Sequence, residues 1–194
     1  MFKLLVASNN QNKIKEYKDI FKGYDVKIYS LKDLNIAIDP IENGKTYYEN
    51  ALIKANACKP FSLIPTISDD SGIEIDGLGE HYPGVFSHRY AQQNGGQENT
   101  NKFLIKDYLG NKAVFHCSIV LINLPNTPVE FVGEVHGTIS GIKQDGGFGY
   151  DPVFKMDSTG KTYSELTPEE KDKMSHRYLA SIKLLEYLKS KKYI

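Results

Sequence analysis

The sequence predicts an α/β fold, on three observations. The chain opens as a short apolar run, a polar loop and an amphipathic helix. Its middle holds two long β-rich runs joined by a proline-containing turn, and its end is helical. At 194 residues and 40% hydrophobic content, it can bury a real core as one domain, or as one domain with two lobes. No internal repeat or low-complexity linker divides it.

Phe2 to Ala7 is an apolar run of strand length, ended by Ser8-Asn9-Asn10-Gln11-Asn12-Lys13. Ile14, Tyr17 and Phe21 then fall on one helical face, interrupted near Gly23. In a strand–loop–helix of this kind, loop amides and a helix N-terminus can meet an anion. The loop lacks the glycines of a Walker A motif, which excludes a P-loop; helix capping by Ser or Asn is the plain alternative. Val26 to Ser30 predicts a second strand. Thr46 can start a helix whose buried stripe is Tyr48, Ala51, Leu52 and Ala55, with Asn50 and Lys54 on a separate polar face close to Glu49.

Ile73, Ile75 and Leu78 alternate with polar residues as a strand does. Ala91 to Thr100 is polar and rich in Gly, Gln and Asn, and reads as a mobile surface loop. Phe103, Leu104 and Tyr108 suggest a short helix ending at Gly110. Ala113–Ile122 and Val129–Ile139 form the clearest hairpin, in which His116 and Cys117 are expected to pack in or on the sheet. Gly141 begins a loop that culminates in Gly146-Gly147-Phe148-Gly149-Tyr150-Asp151-Pro152. Its glycines permit close backbone approach to a flat ligand, with an aromatic ring available to stack on a base. Thr167-Pro168-Glu169-Glu170 is a capping box. A helix with Tyr178, Ile182, Leu185 and Leu188 on its buried face follows, with a break near Met174 where Ser175 can cap.

Composition narrows the function classes. Lys plus Arg equals Asp plus Glu at 24 each, so net charge offers no global attraction to nucleic acid or an anionic membrane. Phosphate recognition must come from a local cluster. Two distant cysteines, Cys58 and Cys117, argue for a reducing compartment and against a disulfide framework or thiolate zinc site. No run approaches membrane-spanning length and the apolar start is too short for a signal peptide, so a soluble cytoplasmic protein is expected.

The stretch with the most chemistry is Ser68-Asp69-Asp70-Ser71-Gly72, between the runs Ile64–Ile67 and Ile73–Ile75. It is good turn chemistry, since Asp and Ser bond their own backbone and Gly tolerates φ > 0. Two carboxylates at a strand end also suit a divalent metal or the activation of a water. Successive strand side chains point to opposite faces, so Asp69 and Asp70 are not expected to share one task. These residues alone leave both readings open.

The order of motifs decides between them. Val6-Ala7-Ser8-Asn9-Asn10 with Lys13 comes first, then Glu42-x-Gly44-x-Thr46-x-x-Glu49-Asn50-Ala51-x-x-Lys54-Ala55, then Asp69-Asp70-Ser71-Gly72-Ile73-Glu74-Ile75. Pro83-Gly84-Val85 with Ser87 and Arg89-Tyr90 follows, then Gly146 to Phe154, and last Glu165-Leu166, Lys171 and Ser175-His176-Arg177. This series resembles the Ham1/inosine triphosphate pyrophosphatase family over almost the whole chain, from Lys3 to Leu188.

The resemblance implies a single ITPase-like (Maf/Ham1) domain, residues 1–194, with an elongated mixed β-sheet, flanking helices and two lobes around a nucleotide cleft. It implies a Mg²⁺-dependent homodimer that cleaves ITP, dITP or XTP to the monophosphate and pyrophosphate, clearing them from the nucleotide pool. By motif, Ser8, Asn9, Asn10, Gln11, Asn12 and Lys13 would contact the triphosphate, and Lys54 would be a further phosphate contact. Glu42 and Asp70 would hold the metal, with Asp70 also the proton acceptor. Ser71, Phe148, Gly149, Tyr150, Asp151, Lys171, His176 and Arg177 would bind substrate.

The chemistry agrees with that assignment. A triphosphate and its pyrophosphate leaving group need cations, and the attacking water needs a base. Mg²⁺ uses one or two carboxylates and keeps several waters. Choosing hypoxanthine or xanthine means donating to O6 and disfavouring a 2-amino group, with Phe148 or Tyr150 stacking and His176, Arg177 or loop amides donating. His88 and Tyr178 depart from the commonest family pattern, which puts fine specificity in question and leaves the reaction as it is. A pyrimidine-directed pyrophosphatase and a nucleotide sensor without turnover are the rival readings; a nucleic-acid-binding module is more distant.

Overall fold

The structure, a computed structural model, describes residues 1–142, 146–171 and 173–194. Its strands are β1 (Phe2–Val6), β2 (Val26–Ser30), β3 (Thr66–Ile75), β4 (Lys112–Ile122), β5 (Val129–Ile139) and β6 (Phe154–Met156). Its helices are α1 (Gln11–Ile20), α2 (Tyr47–Ala57), α3 (Ser87–Gln93), α4 (Gln97–Tyr108), α5 (Pro168–Lys171) and α6 (His176–Ser190). The six strands form one mixed sheet in the order β2-β1-β3-β4-β5-β6. β1 pairs in parallel with β2 and β3, and β5 pairs antiparallel with β6.

The chain divides into two compact units. The first comprises Met1–Asp70, Cys117–Gly133 and Arg177–Ile194. Its main core gathers Leu4 and Val6 of β1, Ile14, Tyr17 and Ile20 of α1, Ile67 of β3, Cys117, Ile119 and Leu121 of β4, and Ala180, Leu184, Leu185 and Leu188 of α6. The second comprises Ser71–His116 and Glu134–His176. Its core gathers Ile73 and Ile75 of β3, Leu104 of α4, Phe115 of β4, Ile139 of β5, and Tyr150, Val153, Phe154 and Tyr163. Each of these β3 and β4 core residues lies in the unit to which its own half of the strand belongs.

Several expectations are corrected by this packing. Ser68 to Gly72 is not a turn: it is the interior of β3, with every residue from Thr66 to Asp70 buried. Buried backbone needs ladder partners, and an extended strand supplies them where a turn would not. Gly72 is required for a different reason. A Cβ there would collide with the Gly84 carbonyl oxygen and lie 2.7 Å from Ser87 Oγ. Ala91–Thr100 is not a loop either; its ends belong to α3 and α4, and only residues 94–96 turn, with Gly95 and Gly96 at φ +78° and +105°. Thr100 fixes the turn by donating its hydroxyl to the Gly96 carbonyl at 2.9 Å.

On α2 the stripe is rotated. Tyr47, Asn50, Ala51 and Ala55 are buried, while Tyr48 and Leu52 are partly buried against Val120 and Ile122. On α6, Ala180 and Leu184 join Leu185 and Leu188 as the fully buried set, and Tyr178 and Ile182 sit at its margin. The loop expected after Gly141 includes residues 143–145, which lie outside the described residues. The Thr167–Glu170 capping box is present: the Thr167 amide donates to Glu170 Oε2 at 2.8 Å and the Glu170 amide to Thr167 Oγ1 at 3.2 Å. No helix among the described residues is long and apolar enough to cross a membrane.

Candidate active site

In the first unit, the end of β1 delivers the polar loop Ser8–Asn10 to the start of α1. Asn10 caps that helix, its Oδ1 accepting the Asn12 and Lys13 amides at 2.9 and 3.2 Å. The plain capping role therefore holds, and it leaves Asn9 to Asn12 exposed at a helix N-terminus with Ser8 half-buried. Lys13, one turn in, reaches Asp69 Oδ2 at 2.9 Å.

Asp69 and Asp70 are adjacent on β3 and face different helices, as strand geometry requires. Asp69 is 2% exposed. Besides Lys13, it accepts from Arg177 Nη2 of α6 at 3.1 Å and Nε at 3.3 Å. Burial alone would push its carboxyl up, but Lys13 and Arg177, with Lys54 beyond, hold it well below the usual carboxylate range. Arg177 is itself 1% exposed and also binds Glu16 of α1. Asp70 accepts from Asn50 Nδ2 of α2 at 3.0 Å and lies 3.6 Å from Lys54 Nζ. Its carboxyl is raised above the ordinary value: burial outweighs the pull of Lys54, Lys13 and the Asn50 bond, and Glu42 adds to the rise.

Lys54 Nζ also pairs with Glu42 Oε2 at 2.7 Å. One ammonium thus stands between two carboxylates, Glu42 and Asp70. That donor set of hard oxygens fits a cation such as Mg²⁺ that takes few protein ligands. Among the described residues no group of three or more His, Cys, Asp or Glu side chains is placed to hold a metal ion. Asn50 and Glu16 were not singled out as site residues by sequence reasoning. Asn50 shares a helical face with Lys54 and stands inside the Glu42–Ala55 motif, and Glu16 sits one turn beyond Lys13; those are the signals the sequence carries for them.

In the second unit, Gly146 to Asp151 is organised by the carboxylate of Asp151, 3% exposed. Its Oδ2 accepts the Phe148 amide at 2.8 Å and Lys171 Nζ at 2.7 Å. Gly147 lies so close that a Cβ would come 2.5 Å from the same oxygen. Phe148 is half-buried, with Lys171 Nζ 4.5 Å from its ring centre. The sequence left Phe148 and Tyr150 as equal candidates to stack on a base. The ring of Tyr150 belongs to the core at 5% exposure, and its hydroxyl donates to the Ser87 carbonyl at 2.7 Å. Phe148 and Gly149 beside it are half-buried.

His176, at the start of α6, is stacked on Phe115 of β4, with ring centres 4.7 Å apart and planes 6° from parallel. Tyr163 joins the stack. Phe115 and Tyr163 are therefore supports that sequence reasoning missed, since their positions are 61 and 13 residues away in the chain (176 − 115 and 176 − 163). Ser71 is half-buried on β3. His116 and Cys117 do pack as expected. Cys117 is fully buried, its thiol pushed up by burial, and His116 pairs with Glu134 across the hairpin at 3.0 Å.

Lys13, Lys54 and Lys171 each have a carboxylate oxygen within hydrogen-bonding distance, at 2.9, 2.7 and 2.7 Å.

Known proteins resemble this chain along its whole length. The chain is 44% identical over 195 residues to the dITP/XTP pyrophosphatase of Caldanaerobacter subterraneus subsp. tengcongensis, covering 97% of this chain and 96% of the relative. It is 40% identical to the dITP/XTP pyrophosphatase of Wigglesworthia glossinidia brevipalpis over the full length of both. Its fold matches the Staphylococcus aureus Ham1 protein with a TM-score of 0.82 and 35% identity, covering 97% of this chain and 99% of that one. A HAM1 protein from Coxiella burnetii matches with a TM-score of 0.83 and 32% identity over 98% and 100%. A family profile described as Ham1 family spans residues 4–187. With fold, sequence and profile in agreement along its length, the chain belongs to the Ham1 family.

Proposed function

We propose that this protein is a dITP/XTP pyrophosphatase. It hydrolyses the non-standard purine nucleotides ITP, dITP and XTP to the nucleoside monophosphate and pyrophosphate, and so removes them from the nucleotide pool. The observation that carries the reading is the buried carboxyl of Asp70, raised by its surroundings and set beside Lys54 and Glu42. A carboxylate poised above its ordinary value is a better general base than a solvated one.

In this reading the triphosphate is received by Ser8 to Lys13 and Lys54. Lys13 turns from Asp69 and Lys54 from Glu42 towards phosphate oxygens. Asp70 takes the proton of the water that attacks the α-phosphorus. Glu42 and Asp70 would hold Mg²⁺, which when bound supplies positive charge to the phosphate oxygens and the leaving pyrophosphate. Phe148 stacks on the base, Gly149 and Ser71 lie along the nucleotide, His176 donates towards O6, and Lys171 neutralises phosphate oxygens. Asp151 acts by orienting Phe148 and Lys171, and Arg177 by orienting Asp69 while its neighbour His176 meets the base. Tyr150 contributes through the backbone of its loop.

The reading extends to a homodimer in the cytoplasm, working as a single domain. The two free, buried cysteines, with Cys58 pushed up to about 11 by burial, suit a reducing compartment. The experiment is turnover of ITP, XTP, GTP and dTTP with Mg²⁺ and with EDTA, reading pyrophosphate release. ITP and XTP are expected to exceed GTP and dTTP, with EDTA abolishing release. A preference for dTTP would sink the base assignment, and release undiminished by EDTA would sink the metal.

A further inference from the structure

The segment Pro83–Tyr90 carries one residue whose hydrogen bonds reach three separate parts of the second unit. Ser87 is 7% exposed. Its Oγ donates to the Gly84 carbonyl at 2.6 Å and accepts the Ile73 amide at 3.0 Å. Its own carbonyl accepts the Tyr150 hydroxyl at 2.7 Å. Ile73 lies on β3 three residues after Asp70, and Tyr150 lies two residues after Phe148. Gly72, between Asp70 and Ile73, admits the Gly84 carbonyl so closely that no side chain could stand there.

The aromatic loop is held from behind at a second point. Asn101 of α4, 5% exposed, donates Nδ2 to the Gly149 carbonyl at 3.1 Å, and Gln97 Nε2 donates to Asn101 Oδ1 at 3.0 Å. With Gly149 fixed by Asn101 and Tyr150 by Ser87, the carrier of Phe148 has one geometry. A buried network with every member satisfied behaves this way, because loss of one bond strands its partner away from water.

We propose that Ser87 is a positioning residue that registers the loop carrying Phe148 against the Ser71–Ile75 half of β3, so that seating of a base steadies that segment of the strand. Ser87 touches neither substrate nor metal in this account. The proposal deepens the pyrophosphatase reading and rests on it. A purely structural Ser87 would lower thermal stability and leave base discrimination, the balance of kcat and KM, and ligand-dependent exchange as they are.

The test uses the wild type, Tyr150→Phe, Ser87→Ala and the double variant of the full chain. Tyr150→Phe keeps the ring in the core and removes only the hydroxyl, so it stays informative even if Ser87→Ala folds poorly. Two quantities are read: kcat and KM for ITP and GTP with Mg²⁺, and hydrogen exchange of the Ile73 amide with and without inosine monophosphate, a probe that carries the base and no triphosphate. Tyr150→Phe is expected to lower ITP kcat about tenfold, the scale of one hydrogen bond, and to narrow the ITP-to-GTP ratio. It is expected to add little to kcat in the Ser87→Ala background, since the chain from Tyr150 to Ile73 runs through two bonds in series, the Ser87 carbonyl lost to one substitution and the Ser87 Oγ to the other. Inosine monophosphate should slow Ile73 exchange in the wild type and not in Tyr150→Phe. Multiplying effects of the two substitutions, or equal slowing of Ile73 exchange in both proteins, overturns the proposal. A wild type that leaves ITP uncleaved overturns the pyrophosphatase reading instead, and the exchange measurement still decides the positioning.

Discussion

Asp69 and Asp70 share a sequence neighbourhood and almost nothing else. One is held charged by Lys13 and Arg177; the other is pressed towards its neutral form by burial. Asp70→Asn is expected to keep the fold and lose about 10²- to 10⁴-fold in kcat, the usual scale for a general base; circular dichroism beside an ITP assay checks both halves, and near-normal turnover refutes the assignment. Phe148→Ala should raise KM for ITP about 10- to 100-fold, from a stacking energy of about 1–3 kcal/mol, with inosine monophosphate binding weakened in parallel by calorimetry. Strand alternation made it legible that the two aspartates differ. Which one does what was not legible, because Arg177 lies 108 residues from Asp69 in the chain and only the fold brings them together.

At the scale of elements, the sequence marked most boundaries well, and β2 and β5 begin and end where their β-branched runs do. It misread β3. Asp, Ser and Gly favour turns when the backbone is free to bond with them, but here the burial of Thr66–Asp70 made an extended strand the only way to pair the main chain. Gly72→Ala tests the replacement explanation: crowding against the Gly84 carbonyl should cost about 1–3 kcal/mol in urea unfolding, whereas a turn glycine with no close neighbour would lose less. The polar stretch 91–100 was misread for a related reason, since polar residues on a helix face away from the core look like loop.

The same end of β3 carries a pH signature. Glu74 accepts from exposed His81 at 2.8 Å and raises its value above the ordinary histidine range. A raised folded value means the pair's contribution is fully present below about pH 6.5 and is lost as pH rises through the higher folded value. His81→Asn keeps a residue tolerant of its left-handed φ of 54° and removes the imidazolium. The gap in thermal midpoint between wild type and this variant should therefore shrink from pH 5.5 to pH 8, by roughly the small amount an exposed pair provides. A gap that widens with pH contradicts the pairing.

For the molecule as a whole, a net charge of zero correctly turned attention to local clusters. It could not reveal that Lys13, Lys54 and Lys171 each hold a carboxylate already. The first unit is assembled from three separate stretches of chain, and Asp69 joins two of them by binding Lys13 near one end and Arg177 near the other. Arg177→Met would leave Asp69 and Glu16 without their shared buried cation and should destabilise the protein by about 3–5 kcal/mol in urea unfolding; a change below about 0.5 kcal/mol would show that the pair is dispensable.

That clasp also imposes an order on biogenesis. Residues 1–70 leave the ribosome early, with Asp69 among them, yet the guanidinium that lets this carboxylate be buried is translated more than a hundred residues later. Until α6 arrives, Asp69 has Lys13 but lacks the second of its two closest cations. A chain that stops before Arg177 is therefore expected to leave the Asp69 segment of β3 open, and to be digested by trypsin faster than the chain that includes α6.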